Sequence, residues 1–214
     1  MSNNHVYLKI ASLNELSLEI MLKSPLLDES LFTQTQDFSK HRQKQFIAGR
    51  FLLANLLHDH FQQPQLPPII IANNSRPCFN NPNYPDFNIS HSGEFIAVAV
   101  ATQGKIGLDV EVNRPRKNYL NIARTFFSQN ENNWLTTQKD PLSAFWQLWT
   151  LRESAVKLYS KGVWQIKQIT IDMPTMAIEA PFGEDFYPIY RLVGDLHVSI
   201  CCNQQIIKWG VDHD

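Results

Sequence analysis

The chain has 214 residues, of which 43% are apolar and 11% aromatic. That is one large domain or two small ones with enough apolar material for a core, so general disorder is excluded. Lys and Arg number 19 against 20 Asp and Glu, a net charge of −1. So even a balance argues against a dedicated nucleic-acid-coating protein and leaves room only for local basic patches.

The three cysteines, Cys78, Cys201 and Cys202, fit neither a disulfide framework nor a zinc site with two CxxC arms. Met1 to His5 carries no basic-then-apolar leader, and runs such as Phe95 to Ala101 are too short to span a bilayer. The expectation is a soluble cytoplasmic protein, taken as a monomer.

In chain order, the first predicted element is a helix over residues 37–60. Phe46, Gly49, Leu53, Leu56 and Leu57 mark one buried face, and Asp37 or Ser39 caps its start. This helix carries Lys40, Arg42, Lys44 and Arg50 with no acid between Phe38 and His58. Arg42 and Arg50 sit about 80° apart around its axis. Pro67 and Pro68 then break the chain, and Ile69 to Ala72 reads as a strand. Asn73 to Asp86, rich in Asn and Pro, reads as a long ordered loop. Phe87 to Ser90 and Phe95 to Ala101 read as strands joined by a turn over 91–94.

Ile106 to Val112 is the clearest strand. Leu108, Val110 and Val112 fall on one face, Asp109 and Glu111 on the other. Tyr119 to Phe127 and Pro141 to Ser160 read as helices, the second with Pro141 in its first turn and Gly162 as its C-terminal cap. Short β-like runs follow at Gln168 to Asp172, Tyr187 to Leu192, His197 to Cys202 and Ile206 to Val211. Strands and helices interleave without a strict βαβ rhythm, so the fold class is α+β.

Several residues carry possible chemistry. Two carboxylates on one strand face, Asp109 and Glu111, suit a hard cation such as Mg²⁺, or form the solvated face of an edge strand. Glu153 and Lys157 are one helical turn apart, with Trp149 on the same row. Ser90-His91-Ser92 is a weak nucleophile signal without G-x-S-x-G, read as a turn-forming trio, although His91 can donate to a phosphate. Arg42, Arg50, Arg76, Arg152 and Lys157 form a scattered basic set suited to phosphate oxygens. There is no G-x-G-x-x-G and no P-loop.

Read in order, five pieces resemble the 4′-phosphopantetheinyl transferases, of the longer type that activates secondary-metabolite synthases such as surfactin synthetase. They are RQKQFIAGR from Arg42 to Arg50; Arg76-Pro77 followed by FNISHS from Phe87 to Ser92; IGLDVE from Ile106 to Glu111; Phe126-Phe127-Ser128 with Glu131; and WTLRESAVK from Trp149 to Lys157 with Gly162. They span residues 40–163.

The resemblance implies transfer of the phosphopantetheine arm of coenzyme A to a serine of an apo acyl or peptidyl carrier protein, releasing adenosine 3′,5′-bisphosphate. It implies two similar α+β halves with the active site in the cleft between them. Residues 1–104 would be the nucleotide-binding half and residues 105–214 the metal-binding and carrier-docking half. Asp109, Glu111 and Glu153 would hold Mg²⁺ or Mn²⁺. Glu153 would also accept the serine proton, directly or through water, and Lys157 would neutralise the transferring phosphate or protonate the leaving oxygen. Arg42, Arg50, Arg76, Ser90, His91 and Lys157 would hold coenzyme A. An acidic carrier helix would dock near Arg114, Arg116, Lys117, Phe126 and Phe127. The chain departs from the family pattern at Arg152, where Lys is usual, and at Gln45, where some members are basic.

Two other readings fit parts of the pattern. A metal-dependent phosphodiesterase or nuclease also gathers carboxylates with a lysine, but the even charge speaks against a nucleic-acid substrate. A non-catalytic binding module of the same fold is the third, disfavoured by the complete set Asp109, Glu111, Glu153 and Lys157.

Overall fold

A computed structural model describes residues 4–72 and 75–212. Asn73 and Asn74 of the expected loop, and Met1 to Asn3, lie outside the described residues. The strands are β1 (Asn4–Ser12), β2 (Ile69–Ile71), β3 (Pro77–Phe79), β4 (Asp86–Ser92), β5 (Phe95–Ala101), β6 (Ile106–Val112), β7 (Thr170–Asp172), β8 (Ala177–Glu179), β9 (Tyr187–Val193), β10 (Leu196–Cys202) and β11 (Ile206–Asp212). The helices are α1 (Leu18–Leu22), α2 (Ser30–Gln34), α3 (Lys40–Phe61), α4 (Tyr119–Phe126), α5 (Gln129–Thr137) and α6 (Pro141–Leu158), with a 3₁₀ helix at Val163–Gln168.

Two sheets pack face to face between two long helices. The first has the order β11-β1-β5-β4, the second β6-β10-β9. The sequence of β5 explains the layering. Its larger residues Ile96, Val98 and Val100 join Leu52, Leu53, Leu56 and Leu57 of α3 in one core. Its alternate residues Ala97, Ala99 and Ala101 face the second sheet and pack with Leu108, Val110 and Val198. Strand alternation sends the two sets to opposite faces, and the alanines let the sheets approach closely. On the far side α6 covers the second sheet, burying Phe145, Leu148, Leu151, Ala155 and Leu158.

Local chemistry sets the helix limits. Ser39 caps α3 by accepting the Arg42 N–H at 3.3 Å, and Gln62 ends it in the left-handed region at φ 56°. Asp140 caps α6 and Pro141 opens it. The left-handed residue after α6 is Ser160 (φ 53°), and the expected C-terminal cap Gly162 stands at φ −72°, at the start of the 3₁₀ helix instead of the end of α6.

Other expectations also change. The turn after β4 is only Gly93-Glu94, with Gly93 at φ 58°, so His91 and Ser92 belong to the strand. The Asn/Pro loop contains β3, paired with β2. Gln168 closes the 3₁₀ helix, and the strand starts at Thr170. β1, β8 and α5 were not expected; α5 starts from a capping box, in which Ser128 and Glu131 bond each other's backbone N–H. The sheets divide near residue 104 except at the end, where β11 returns to pair in parallel with β1. No helix of the described residues is long and apolar enough to cross a membrane.

Candidate active site at the seam of the two sheets

β4 ends one sheet and β6 the other. An edge strand presents a row of N–H groups that need partners. Here side chains supply them. Asp86, Asn88, Ser90 and Ser92 of β4 accept the backbone N–H groups of Ile106 (2.8 Å), Leu108 (3.3 Å), Val110 (3.2 Å) and Val112 (3.2 Å). Every second residue of one strand meets every second residue of the other, at a constant offset of 20 in sequence, so the strands run side by side in the same direction. A polar, period-2 strand sequence, D-x-N-x-S-x-S, thus joins the two sheets without a β-ladder.

The same serines orient the acids. Ser90 Oγ donates to Asp109 Oδ1 at 3.1 Å, and Ser92 Oγ to Glu111 Oε2 at 2.5 Å. Each hydroxyl accepts from one residue of β6 and donates to the side chain before it.

α6 lies directly on this strand because Gly107 has no side chain. A Cβ there would collide with the Ser154 carbonyl and the Leu158 backbone. That approach brings Lys157 Nζ to 2.6 Å from Asp109 Oδ1 and 3.0 Å from Ser90 Oγ. Lys157, Asp109 and Ser90 come from three elements and form one cluster. A groove of about 250 Å³ beside it is lined by Arg76, Asn88, Lys157 and Lys161 among others.

All three carboxyls are held above their ordinary range, in each case chiefly by burial. Glu153 is pushed up to about 7, with the charges of Asp109 and Glu111 adding to burial and Lys157 opposing it. Asp109 thus acts on both Glu111 and Glu153, a like-charge repulsion that a cation would relieve. Asp109 Oδ2 is buried and without a hydrogen-bond partner, which suits a hard cation. As the side chains stand, no three His, Cys, Asp or Glu among the described residues are gathered tightly enough to hold a metal ion; the Lys157 ammonium takes Asp109 Oδ1 instead.

The expected coenzyme A residues divide into groups. Arg50 is largely buried, its guanidinium 3.4 Å from the Phe46 ring centroid, and its pKa is lowered to about 10 by burial and by Arg42. It remains a cation, and no ion pair joins it to an acid among the described residues. It borders a cavity of about 480 Å³ between α3 and the Pro67-Pro68 segment. Arg42 is exposed and bonds Gln45 at 3.2 Å. His91 lies near both Lys157 and Arg42, and burial followed by these two cations lowers its pKa. Arg76 acts as a clasp: its guanidinium reaches Asp86 (2.5 Å) and the carbonyls of Phe87 (3.2 Å), Ile106 (2.6 Å) and Leu158 (3.3 Å).

Arg152 leaves the phosphate-binding set. It is fully buried, 2.5 Å from the equally buried Glu131, and bonds the carbonyls of Leu148 and Ile169. Its neighbour Glu153 faces the seam; one residue on a helix separates structure from chemistry. Phe127 leaves the expected docking surface: it is 6% exposed and packs in the core under Arg152. Sequence reading missed Ser92, Asn88 and Asp86, although their strict alternation was the available signal.

Comparison with known proteins shows the family. A family model described as the 4′-phosphopantetheinyl transferase superfamily matches residues 105–201. The 4′-phosphopantetheinyl transferase AcpT of Salmonella typhi is 33% identical over 136 residues, 63% of this chain and 68% of AcpT. The chain belongs to the 4′-phosphopantetheinyl transferases.

An uncharacterised relative from Escherichia coli K12, YieE, is 36% identical over 140 residues, 64% of this chain and 56% of YieE. The 4′-phosphopantetheinyl transferase gsp of Aneurinibacillus migulanus is 39% identical over 80 residues, 36% of this chain and 32% of gsp. The chain thus spans little more than half the length of YieE. The transferase family match covers β6, α6 and β10, which carry both strand carboxylates, Glu153 and Lys157.

Proposed function

We propose that the protein transfers the 4′-phosphopantetheine arm of coenzyme A to a serine of an apo carrier protein. The observation that carries this is the junction of Lys157 with Asp109 and Ser90, at 2.6 and 3.0 Å, beside a Glu153 held near neutrality. AcpT, a relative sharing a third of its residues over most of its length, bears the transferase name.

In the proposed reaction the carrier serine oxygen attacks the pantetheine-side phosphorus of the pyrophosphate. The P–O bond to the nucleotide breaks, and adenosine 3′,5′-bisphosphate leaves with the electron pair. Glu153 takes the serine proton; a carboxylate with pKa near 7 is matched to that role at neutral pH. Lys157 neutralises charge on the transferring phosphate, and Ser90 holds the ammonium in place. Asp109, Glu111 and Glu153 suit Mg²⁺, or Mn²⁺, which would spread the charge of the pyrophosphate oxygens. Arg42, Arg50 and His91 present positive or proton-donating groups to the nucleotide phosphates. Arg76 contributes mainly by holding the groove wall through its clasp.

The carrier would dock where the chain leaves β6. Trp146 Nε1 donates to the Arg114 carbonyl at 3.1 Å, fixing this segment against α6. Arg116 lies 5.3 Å from the Trp149 ring, and Lys117 is exposed. Phe126 is half-buried at the margin and meets Trp149 edge-on. Such a basic and apolar patch fits an acidic helix.

Incubation with coenzyme A, Mg²⁺ and apo acyl carrier protein tests the proposal. Transfer adds the mass of one phosphopantetheine arm to the carrier. Hydrolysis of coenzyme A or of a phosphodiester without carrier modification would favour the phosphodiesterase reading.

A further inference from the structure

Two acid-free stretches flank the seam. Residues 112–130 hold Arg114, Arg116, Lys117 and Arg124, and residues 154–171 hold Lys157, Lys161 and Lys167; neither contains Asp or Glu, in a chain that has 20 of them. The fold brings the two together, because the 3₁₀ helix at Val163–Gln168 packs on both α4 and α6.

The contact runs through Lys167, whose Nζ lies 5.1 Å from the Phe126 ring centroid. Phe126 in turn meets Trp149 edge-on at 5.9 Å, and Arg116 covers Trp149. A continuous strip therefore leads from Arg116 over Trp149 and Phe126 to Lys167. In a 3₁₀ helix side chains three apart share a face, which places Trp164 on the same face as Lys167. Trp164 is 77% exposed, more than any other large hydrophobic side chain among the described residues. An exposed tryptophan beside cations is the composition of an interface anchor.

We infer that Trp164 and Lys167 extend the carrier-docking surface onto the 3₁₀ helix. The indole anchors the apolar side of the carrier helix, and Lys167 pairs with one of its carboxylates. The occupant is an acidic partner because all seven charges of the two stretches are positive, and of them only Arg114 and Lys157 pair with an acid, Glu111 and Asp109, among the described residues. This inference rests on the transferase reading above.

The test uses the whole enzyme with coenzyme A, Mg²⁺ and an apo acyl carrier protein. Trp164→Ala and Lys167→Glu should each raise the carrier KM about tenfold, the scale of a single anchor. The kcat and the coenzyme A KM should stay at wild-type values. A carrier whose serine is replaced by alanine gives a second reading: it should quench tryptophan fluorescence in the wild type and much less in Trp164→Ala. Thermal melts of the variants should match wild type, since both side chains are at the surface. An unchanged carrier KM, or a coenzyme A KM rising in step, overturns the inference while leaving the transferase reading intact. So does a wild-type dimer that Trp164→Ala converts to monomer, which would make a second copy the occupant. A wild type that modifies no carrier overturns the transferase reading, and this inference with it.

Discussion

Ser92 donates its hydroxyl proton to Glu111 across the seam between the sheets, Oγ to Oε2 at 2.5 Å, while accepting the N–H of Val112 at 3.2 Å. One side chain thus fixes both the backbone of β6 and the direction of its second carboxylate. Ser92→Ala should cost about 1–2 kcal/mol of stability, the price of a buried N–H losing its acceptor. It should also lower kcat and raise the Mg²⁺ concentration needed for half-maximal rate, because Glu111 is no longer aimed. A Mg²⁺ titration of wild type and variant checks this; superimposable curves would show that the serine only joins the sheets.

Lys157 meets Asp109 and Ser90 at the same seam, and its ammonium is a compact point charge. Lys157→Met keeps most of the stem but removes the charge. The expected kcat loss is about 10²–10³-fold, the usual scale for one electrostatic stabiliser. Lys157→Arg should rescue little, since a planar fork does not fit between Ser90 and Asp109. Steady-state kinetics with coenzyme A varied would separate this from a binding defect. A loss confined to KM would assign Lys157 to substrate binding alone.

Part of the candidate site is legible in the sequence. The alternation of Asp109 and Glu111 on β6, and the one-turn spacing of Glu153 and Lys157 on α6, follow from strand and helix periods. The meeting of those two pieces does not, because it depends on Gly107 opening the surface of β6 to α6. The joint between β4 and β6 was hidden for another reason. Asp86, Asn88, Ser90 and Ser92 look like turn formers singly, and only an unpaired sheet edge gives their alternation a meaning. The strand β1 was missed although Val6, Leu8 and Ile10 alternate with Tyr7 and Lys9; the strands it pairs with, β5 and β11, are both remote in sequence.

Arg152 and Glu153 predict opposite phenotypes from adjacent positions. Arg152 and Glu131 are both 0% exposed, and the pair ties α5 to α6 and, through the Ile171 N–H at 2.7 Å, to β7. Removing one partner strands a buried charge. Arg152→Met should therefore cost about 3–5 kcal/mol. Activity per folded molecule and the coenzyme A KM should hold at low temperature. Glu153→Gln should do the reverse, abolishing transfer while leaving the fold intact. Melts beside kinetics on both variants test this; a raised coenzyme A KM in folded Arg152→Met would return Arg152 to the substrate.

Glu153 also predicts how stability changes with pH. Its carboxyl is raised from 4.5 to about 7 in the fold, so the native state binds the proton more tightly than the unfolded chain. Below pH 4.5 the group is protonated in both states and contributes nothing. Between 4.5 and 7 the unfolded chain ionises first, and stability falls as pH rises. Above 7 the full penalty is in place, on the order of 2 kcal/mol after solvent screening. Asp109 and Glu111 are shifted the same way and add to the slope. The Tm without metal should therefore decline from pH 5 to pH 8. Glu153→Gln should flatten that decline and raise the Tm at pH 8. Mg²⁺ should raise the wild-type Tm more at pH 8 than at pH 5, because only the ionised acids attract it. Melts in EDTA and in Mg²⁺ across this range read all three effects. A Mg²⁺ response that is independent of pH and survives in Glu153→Gln would place the ion away from these acids.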